Sequence, residues 1–267
     1  MRAAGDLEGG RAVNLLRGIG MAFVLYSRVP MPHMNWESDS RKLVLYTFPL
    51  VGTAVGAAWC LWLWLCALGQ MGPIFTAAGC TLLPIFVTGG IHMDGFCDVC
   101  DALASHQSRE RKLEIMKDSN TGALGVLGCV CLCLGSFALW CQWVQDGGEF
   151  SWVLVLLPVY VRALVGYLGM KLPNARGSGM LSQVTDPENR PWVLLLLAVV
   201  CAGGMLLCSW RESLLPVLFA AAALLWCMRK ARREFGGVTG DVAGWSYQLC
   251  ELAAVAGLVL GRHLEGF

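Results

Sequence analysis

Three aspartates lie at a regular spacing in the segment 88–101, which reads T-G-G-I-H-M-D-G-F-C-D-V-C-D and closes a long apolar stretch. With a helical advance of about 100° per residue, Asp94, Asp98 and Asp101 fall on one stripe about 10 Å long. A lipid-facing carboxylate costs roughly 2.5–3.5 kcal/mol at mid-membrane, so the stripe should face inward, with a cation or water as its partner. The spacing therefore predicts a divalent-cation site at a membrane face. The alternative is a helix that has simply left the membrane.

The composition is that of an integral membrane protein. Of the 267 residues, 56% are hydrophobic and 15% are charged, and the mean hydropathy is +0.58, which is too apolar for an ordinary soluble domain. Apolar stretches near the roughly 20 residues that a bilayer requires recur along the chain. They are Leu43–Leu68, Pro73–Gly90, Ala123–Val144, Ser151–Met170, Trp192–Trp210, Ser213–Met228 and Val242–Leu260. The predicted fold is an all-α integral membrane protein, a polytopic bundle of about seven transmembrane helices.

The basic residues predict the orientation of this bundle. Alternate loops hold 14 of the 20 Lys and Arg residues, and cytoplasmic loops usually carry that excess. These loops are 28–42, 105–118, 171–191 and 229–241. We therefore expect a single domain, 1–267, with its N-terminus inside and its C-terminus outside. Residues 1–42 are expected to form a cytoplasmic or interfacial segment, in which Arg11–Tyr26 is a helix lying in the interface. A formal net charge of +1 does not indicate nucleic-acid binding.

Cys97 and Cys100 have the spacing of a zinc or redox pair. No second pair of that spacing accompanies them, and they alternate with the aspartates. Most of the 13 cysteines lie inside apolar stretches, where cysteine packs as a small hydrophobic residue. We interpret Cys97 and Cys100 as packing residues too.

Three further polar segments are expected at the same membrane face as the aspartates. They are 114–122, 173–180 and 236–241. The last two are glycine-rich, so they are either tight helix connections or backbone that approaches an anion closely, and 236–241 opens a helix whose N-terminus favours phosphate. Lys117, Arg176 and Arg233 are predicted to contact phosphate oxygens. Carboxylates for a metal together with these groups predict phosphoryl or nucleotidyl transfer.

Other polar residues allow more than one role. Arg162 and Glu251 fall inside predicted membrane segments, so they should face the interior and could pair. His92 lies across the helix from Asp94 and is a candidate ligand, general base or hydrogen-bond donor. Asp241 stands at a helix start and is either an N-cap or a ligand.

Three motifs closely resemble the cobalamin synthase family, the adenosylcobinamide-GDP ribazoletransferases. They are H-M-D-G-F-C-D-V-C-D-A-L at 92–103, L-E-I-M-K-D-S-N-T-G-A-L-G-V-L at 113–127 and G-G-V-T-G-D-V-A-G at 236–244. S-R-V-P-M-P at 27–32 and A-R-G-S-G-M at 175–180 extend the resemblance over nearly the whole chain. The family usually has small residues where Cys97 and Cys100 stand, and commonly an arginine where Asn120 stands. The first departure argues against catalytic cysteines.

The resemblance implies the last assembly step of the cobalamin nucleotide loop. Adenosylcobinamide-GDP would react with α-ribazole or α-ribazole 5′-phosphate, giving adenosylcobalamin or its 5′-phosphate and GMP. The implied location is the bacterial cytoplasmic (inner) membrane, multi-pass, with the active site facing the cytoplasm. A homo-oligomer or an assembly with other enzymes of the cobalamin pathway stays open.

The resemblance also implies Mg²⁺ as cofactor and a set of site residues. The expected metal ligands are Asp94, Asp98, Asp101 and Asp118. The expected catalytic residues are Asp118, His92 and Lys117, with Asp118 or His92 accepting a proton or orienting the hydroxyl. The expected substrate-binding residues are Arg176, Arg233, Thr239 and Asp241.

Other classes of membrane protein fit the sequence less well. A CDP-alcohol phosphotransferase also uses intramembrane aspartates and Mg²⁺, but its D-x-x-D-G-x-x-A-R signature is absent here. A divalent-cation transporter needs polar groups through the membrane depth, whereas these residues gather at one face. A scaffold protein would not need the aspartate stripe.

Overall fold

The computed structural model describes residues 2–32, 38–118, 120–186 and 188–265. These residues form α-helices, one 3-10 helix at Phe48–Leu50 and no strands, so the all-α prediction is confirmed. The α-helices are α1 Arg2–Tyr26, α2 Ser38–Arg41, α3 Val44–Thr47, α4 Val51–Leu68, α5 Pro73–Thr88, α6 Ile91–Ala104, α7 Arg109–Ile115, α8 Ala123–Gln145, α9 Trp152–Lys171, α10 Met180–Val184, α11 Pro191–Cys208, α12 Trp210–Phe235 and α13 Gly240–Glu265.

The long apolar helices match the predicted membrane segments. Within the described residues, six are long and apolar enough to cross a membrane, and α5 with α6 makes a seventh if that bent pair is one span. The run Val44–Leu68 counts as one of the six. The chain is therefore a polytopic helical bundle. The interfacial position of the N-terminal helix stays a prediction, although Met21 and Ala22 of α1 are fully buried.

The sequence suggested that the aspartate stripe ends the second membrane helix, and the structure shows that it does not. That helix, α5, ends at Thr88, and the next helix, α6, leaves it at an angle of 96°. Gly89 and Gly90 make the turn with φ values of +66° and +79°, a left-handed conformation that glycine adopts at no steric cost. The aspartates consequently lie on a separate helix at the end of the bundle.

Helix α12 is longer than predicted. It runs Trp210–Phe235 instead of 213–228 and so occupies part of the expected loop 229–241. Basic residues in its last turn, Arg232 and Arg233, suit the negative end of a helix dipole, and Gly236 ends it with φ +77°. The other three predicted loops, 28–42, 105–118 and 171–191, contain the short helices α2, α7 and α10.

Glycines let α6 pack closely between two neighbouring helices. A methyl group at Gly95 would lie 2.8 Å from the Cα atom of Asp241 at the start of α13. On the other side, methyl groups at Gly125 and Gly128 of α8 would lie 2.7 Å from the Cys97 carbonyl oxygen and 2.8 Å from the Cys100 sulfur. The two cysteines are free and pack against α8, as expected of packing residues. This close packing brings the starts of α8 and α13 to the aspartate helix.

Candidate active site

Asp101 caps the start of α8. Its Oδ2 accepts a hydrogen bond from the Gly122 N–H and its Oδ1 accepts one from the Gly125 N–H, both at 2.6 Å. The first N–H groups of a helix lack partners inside the helix, and a carboxylate there also meets the positive end of the dipole. Asp101 therefore holds α8 against α6, although the sequence predicted a metal ligand.

Asp94 and Asp98 keep their carboxylates free. Among the described residues, neither side chain has a hydrogen-bond or ion-pair partner. Asp94 is exposed and Asp98 is half-buried, one helical turn further along α6. The Asp98 carboxyl lies within electrostatic range of those of Asp94 and Asp241. Unpaired carboxylates concentrated in this way attract cations.

Asp118 lies in an acidic pocket of about 250 Å³ that Asp98 and Asp101 also line. Its Oδ1 accepts hydrogen bonds from the backbone N–H and the side-chain amide of Asn120, both at 2.9 Å. These bonds lower the pKa of Asp118 below its usual value, so the carboxylate is ionised at neutral pH. Lys117 is exposed beside it.

Arg176 is tied to the start of α13. Its Nη1 lies 2.8 Å from Oδ2 of Asp241, and its buried Nε has no hydrogen-bond partner in the described part of the chain. Thr239 caps α13, since its Oγ1 accepts a hydrogen bond from the Val242 N–H at 3.2 Å. Thr239 thus takes the N-cap role, and Asp241 is the counter-ion of Arg176. A role of Asp241 as a ligand stays a prediction.

A short parallel bridge brings these two segments together. The Ala175 N–H donates to the Val238 carbonyl at 3.0 Å, and the Val238 N–H donates to the Pro173 carbonyl at 2.9 Å. A methyl group at Gly237 would lie 2.1 Å from the Pro173 oxygen, so the pairing needs glycine at that position. The predicted convergence of the two glycine-rich segments is therefore confirmed.

A central cavity of about 360 Å³ opens between these elements. The polar residues that line it are Asp94, Arg176, Ser178, Thr239 and Asp241. The rest of its wall is aliphatic and aromatic, with contributions from α1, α9 and the 3-10 helix. An amphipathic cavity with convergent charged groups is typical of a small-molecule site.

His92 belongs to the aromatic part of that wall. Its ring centroid lies 5.9 Å from Phe48, 6.3 Å from Tyr26 and 4.4 Å from Tyr247. The side chain is buried, and Nε2 has no hydrogen-bond partner among the described residues. The sequence did not single out the aromatic neighbours, because an aromatic residue in an apolar segment carries no local signal of a site.

Arg162 and Glu251 do not form a direct ion pair in the described structure. The Arg162 guanidinium carbon lies 4.5 Å from the centroid of the Tyr247 ring, and the Tyr247 hydroxyl donates a hydrogen bond to Oε1 of Glu251. Tyr247 therefore links the two charges. Arg162 is fully buried, so a cation–π contact in a desolvated site is significant, at about 2 kcal/mol.

Comparisons with known proteins identify the family. The family model described as cobalamin-5-phosphate synthase matches residues 18–259. The chain belongs to the cobalamin-5-phosphate synthase family. It is therefore a transferase of cobalamin biosynthesis. No solved structure matches it.

Three relatives, each named adenosylcobinamide-GDP ribazoletransferase, illustrate the similarity. The protein from Clostridium botulinum (strain Alaska E43 / Type E3) is 32% identical over 247 residues, covering 91% of this chain and 96% of the relative. That from Leptothrix cholodnii is 35% identical over 258 residues, covering 92% and 96%. That from Pseudomonas putida is 34% identical over 250 residues, covering 91% and 98%. The similarity therefore extends over nearly the whole length of these enzymes.

One predicted phosphate contact lies apart from the site. The side chain of Arg233 is 85% exposed near the end of α12, with Glu234 at 3.8 Å. Arg233 lines neither the central cavity nor the acidic pocket. The structure thus brings together the aspartates, Arg176 and Thr239, but not Arg233.

The free carboxylates suit Mg²⁺. Among the described residues, no group of three or more His, Cys, Asp or Glu side chains is arranged to hold a metal ion. Mg²⁺ is commonly bound through one or two carboxylates together with waters and substrate phosphates, not by an all-protein cage. Asp94 and Asp98 provide two such carboxylates. Asp101 instead accepts backbone hydrogen bonds from α8, and Asp241 pairs with Arg176.

Proposed function

We propose that the protein transfers the adenosylcobinamide-phosphate group from adenosylcobinamide-GDP to α-ribazole or α-ribazole 5′-phosphate, releasing GMP. The observation that carries this proposal is that Asp94, with a free carboxylate, lines the same cavity as Arg176, whose guanidinium Nε is buried. Transfer of a phosphate-linked group needs residues that hold the pyrophosphate in place more than it needs covalent chemistry. The names of the relatives support the same reaction.

Asp94 and Asp98 would hold Mg²⁺ at the pyrophosphate. When bound, the ion would supply charge neutralisation on the phosphate oxygens. The two carboxylates belong to adjacent turns of α6, about 6 Å apart along the helix axis. Asp101 would stabilise the position of these carboxylates by holding α8 against α6. We do not include Asp101 among the metal ligands.

Arg176 would bind the phosphate oxygens from the other side of the cavity. Asp241 holds one end of its guanidinium, which aims the rest of the planar group. The buried Nε without a partner is available for a charge-assisted hydrogen bond to a phosphate oxygen. Lys117, exposed beside the acidic pocket, would contribute a more mobile positive charge.

In the reaction, the ribazole 3′-oxygen would form a bond to the cobinamide-linked phosphorus as the bond from that phosphorus to the GMP oxygen breaks. Asp118 would orient the attacking hydroxyl and take its proton, because its carboxylate is ionised at neutral pH. We prefer Asp118 to His92 for this part, since His92 lies among aromatic rings. GMP would leave with the electron pair of the broken bond.

The active site is proposed to face the cytoplasm of a bacterial cell, in the cytoplasmic membrane. The basic loops lie beside it, as the positive-inside rule expects of cytoplasmic segments. Adenosylcobinamide-GDP and α-ribazole 5′-phosphate are charged and too polar to enter lipid, so they would reach the cavity from water.

Purified protein in liposomes, supplied with adenosylcobinamide-GDP, α-ribazole 5′-phosphate and Mg²⁺, tests the proposal. We expect stoichiometric GMP and corrinoid product, lost on addition of EDTA and restored by excess Mg²⁺. Asp94→Asn should lower turnover at least about a hundredfold, the scale for removing one charged transition-state contact. Glu149→Gln is the matched control, because this exposed carboxylate lies at the far end of α8.

Absence of GMP with both forms of ribazole, from protein that unfolds cooperatively, would refute the transfer reaction. Full turnover of Asp94→Asn in limiting Mg²⁺ would refute the metal assignment alone.

A further inference from the structure

A second space meets the central cavity at Asp94. This outer groove has a volume of about 650 Å³ and is wider and more open than the central cavity. Ile91 and Asp94 of α6 line both spaces. Arg28 is the other charged residue that lines the groove in the described part of the chain. The free carboxylate of Asp94 therefore has Arg176 in one space and Arg28 in the other.

The position of Arg28 is fixed by the turn between α5 and α6. Its N–H donates a hydrogen bond to the Val87 carbonyl at 2.7 Å, which joins the segment after α1 to the last turn of α5. A methyl group at Gly89 would lie 2.4 Å from Arg28 Nε, so glycine at that position leaves room for the arginine side chain. The Asp94 N–H donates to the Gly90 carbonyl at 2.9 Å, one helical turn away. The guanidinium and the Asp94 carboxylate are thus roughly 5–10 Å apart, one to two helical turns.

The charge of Arg28 is not offset within the described structure. Its exposed side chain has no hydrogen-bond or ion-pair partner there, whereas Arg176 is already paired with Asp241. A pyrophosphate esterified at both ends carries two negative charges, and Asp94 with Asp98 adds two more. One divalent cation offsets only two of these four charges. A further cation is therefore needed, and Arg28 is the arginine whose charge is still available.

We infer that Arg28 binds an oxygen of the donor pyrophosphate from the outer groove. This inference rests on the proposed function, which brings adenosylcobinamide-GDP to Asp94. One phosphate meets Arg176 in the central cavity and the other meets Arg28 in the groove, with the aspartate carboxylates between them. A guanidinium suits this role because its planar N–H groups bind phosphate oxygens through charge-assisted hydrogen bonds.

The test measures binding without turnover. The Kd of inorganic pyrophosphate in the presence of Mg²⁺ is determined by calorimetry on protein in one detergent. Arg28→Met should raise this Kd by about tenfold, the equivalent of one charge-assisted hydrogen bond at the lower end of its range, because the guanidinium is exposed to water. In liposomes, the KM of adenosylcobinamide-GDP should rise by a similar factor and the KM of α-ribazole 5′-phosphate should stay unchanged. Arg229→Met, which removes another exposed arginine that lines neither space, is the matched control and should change none of these constants.

A pair of glycine variants tests the same contact without removing the charge. Gly89→Ala and Gly90→Ala introduce similar left-handed strain, since φ is +66° and +79°, and both should lower Tm. The new methyl group meets Arg28 at position 89 and nothing within 4 Å at position 90. Gly89→Ala should therefore raise the Kd of pyrophosphate more than Gly90→Ala does. This difference should disappear when each alanine is combined with Arg28→Met.

An unchanged Kd of pyrophosphate in folded Arg28→Met overturns the inference. If Arg28→Met does not fold, equal Kd values for Gly89→Ala and Gly90→Ala overturn it instead. A rise in the KM of α-ribazole 5′-phosphate alone assigns Arg28 to the other substrate and overturns it too. Each of these results leaves the proposed function standing as long as wild type releases GMP. Absence of GMP release together with a Kd that depends on Arg28 rejects the proposed function and keeps Arg28 as a pyrophosphate-binding residue.

Discussion

Asp101→Ala should destabilise the protein, whereas the same substitution at Asp94 should not. Asp101 accepts two backbone hydrogen bonds at the start of α8, and Asp94 accepts none from the described residues. Because both aspartates lie on α6, the pair of variants separates a structural carboxylate from a free one. The stability of the protein thus reports which aspartates are available to a metal.

The magnitude follows from the two N–H groups that lose their partner. Gly125 is buried, so its N–H would stay unpaired, and this loss should cost about 1–3 kcal/mol of stability. Gly122 is partly exposed, so water can replace the carboxylate there, and the loss is closer to that of an ordinary cap, about 0.5–2 kcal/mol. The expected destabilisation is about 2–4 kcal/mol. Asp101→Asn keeps one acceptor oxygen and should lose about half as much.

Thermal unfolding in one detergent, followed by tryptophan fluorescence, measures the effect. At about 2–4 °C per kcal/mol for a chain of this size, Asp101→Ala should lower Tm by about 4–16 °C. Asp94→Ala should stay within about 0.5 kcal/mol of wild type, and removal of one of two neighbouring like charges could even raise Tm. The Mg²⁺ concentration for half-maximal activity should rise for Asp94→Ala and not for Asp101→Asn.

The opposite pattern would refute this reasoning. If Asp101→Ala unfolded at the wild-type temperature and its activity needed far more Mg²⁺, Asp101 would be a ligand and the cap a feature of the metal-free state.

Three further predictions concern packing and the anion site. Gly95→Ala should cost about 1–3 kcal/mol and lower activity by separating α6 from α13, whereas Gly203→Ala, where a methyl group meets nothing within 4 Å, should leave Tm unchanged or raise it. Arg176→Lys should raise the KM of adenosylcobinamide-GDP by about tenfold, because a lysine cannot contact Asp241 and a phosphate through one planar group; an unchanged KM would remove Arg176 from the site. Arg233→Ala should change kcat/KM by less than about twofold, as expected of an exposed charge. A large loss of kcat/KM would show that Arg233 belongs to the site.

Much of the bundle was predictable because apolar length and helical period are local properties of the chain. The membrane segments and the helical stripe of Asp94, Asp98 and Asp101 depend only on such local patterns. The meeting of the two glycine-rich segments was also predictable, since both adjoin ends of helices on one side. The bend at Gly89 was not predicted, although two consecutive glycines are a typical signal of a helix break.

The individual roles of the polar residues could not be predicted in the same way. Asp101 is a cap because N–H groups 21 and 24 residues away lie against it, and no pattern around Asp101 encodes that contact. One signal existed, however. Gly122, Gly125 and Gly128 recur at every third position, as expected of a helix face that another helix approaches closely. That spacing would have placed α8 against the aspartate helix.

The bend between α5 and α6 explains how a membrane protein can act on two polar substrates. A straight helix over 73–104 would be about 48 Å long, against a hydrocarbon core of about 30 Å. Asp101 would then stand about 20 Å beyond Thr88, out of reach of helices that end near the bilayer surface. The 96° turn instead lays α6 along the end of the bundle. The aspartates can therefore face water and substrate while the starts of α8 and α13 close around them. Gly89 and Gly90 thus allow the second half of an apolar segment to form one side of the candidate active site.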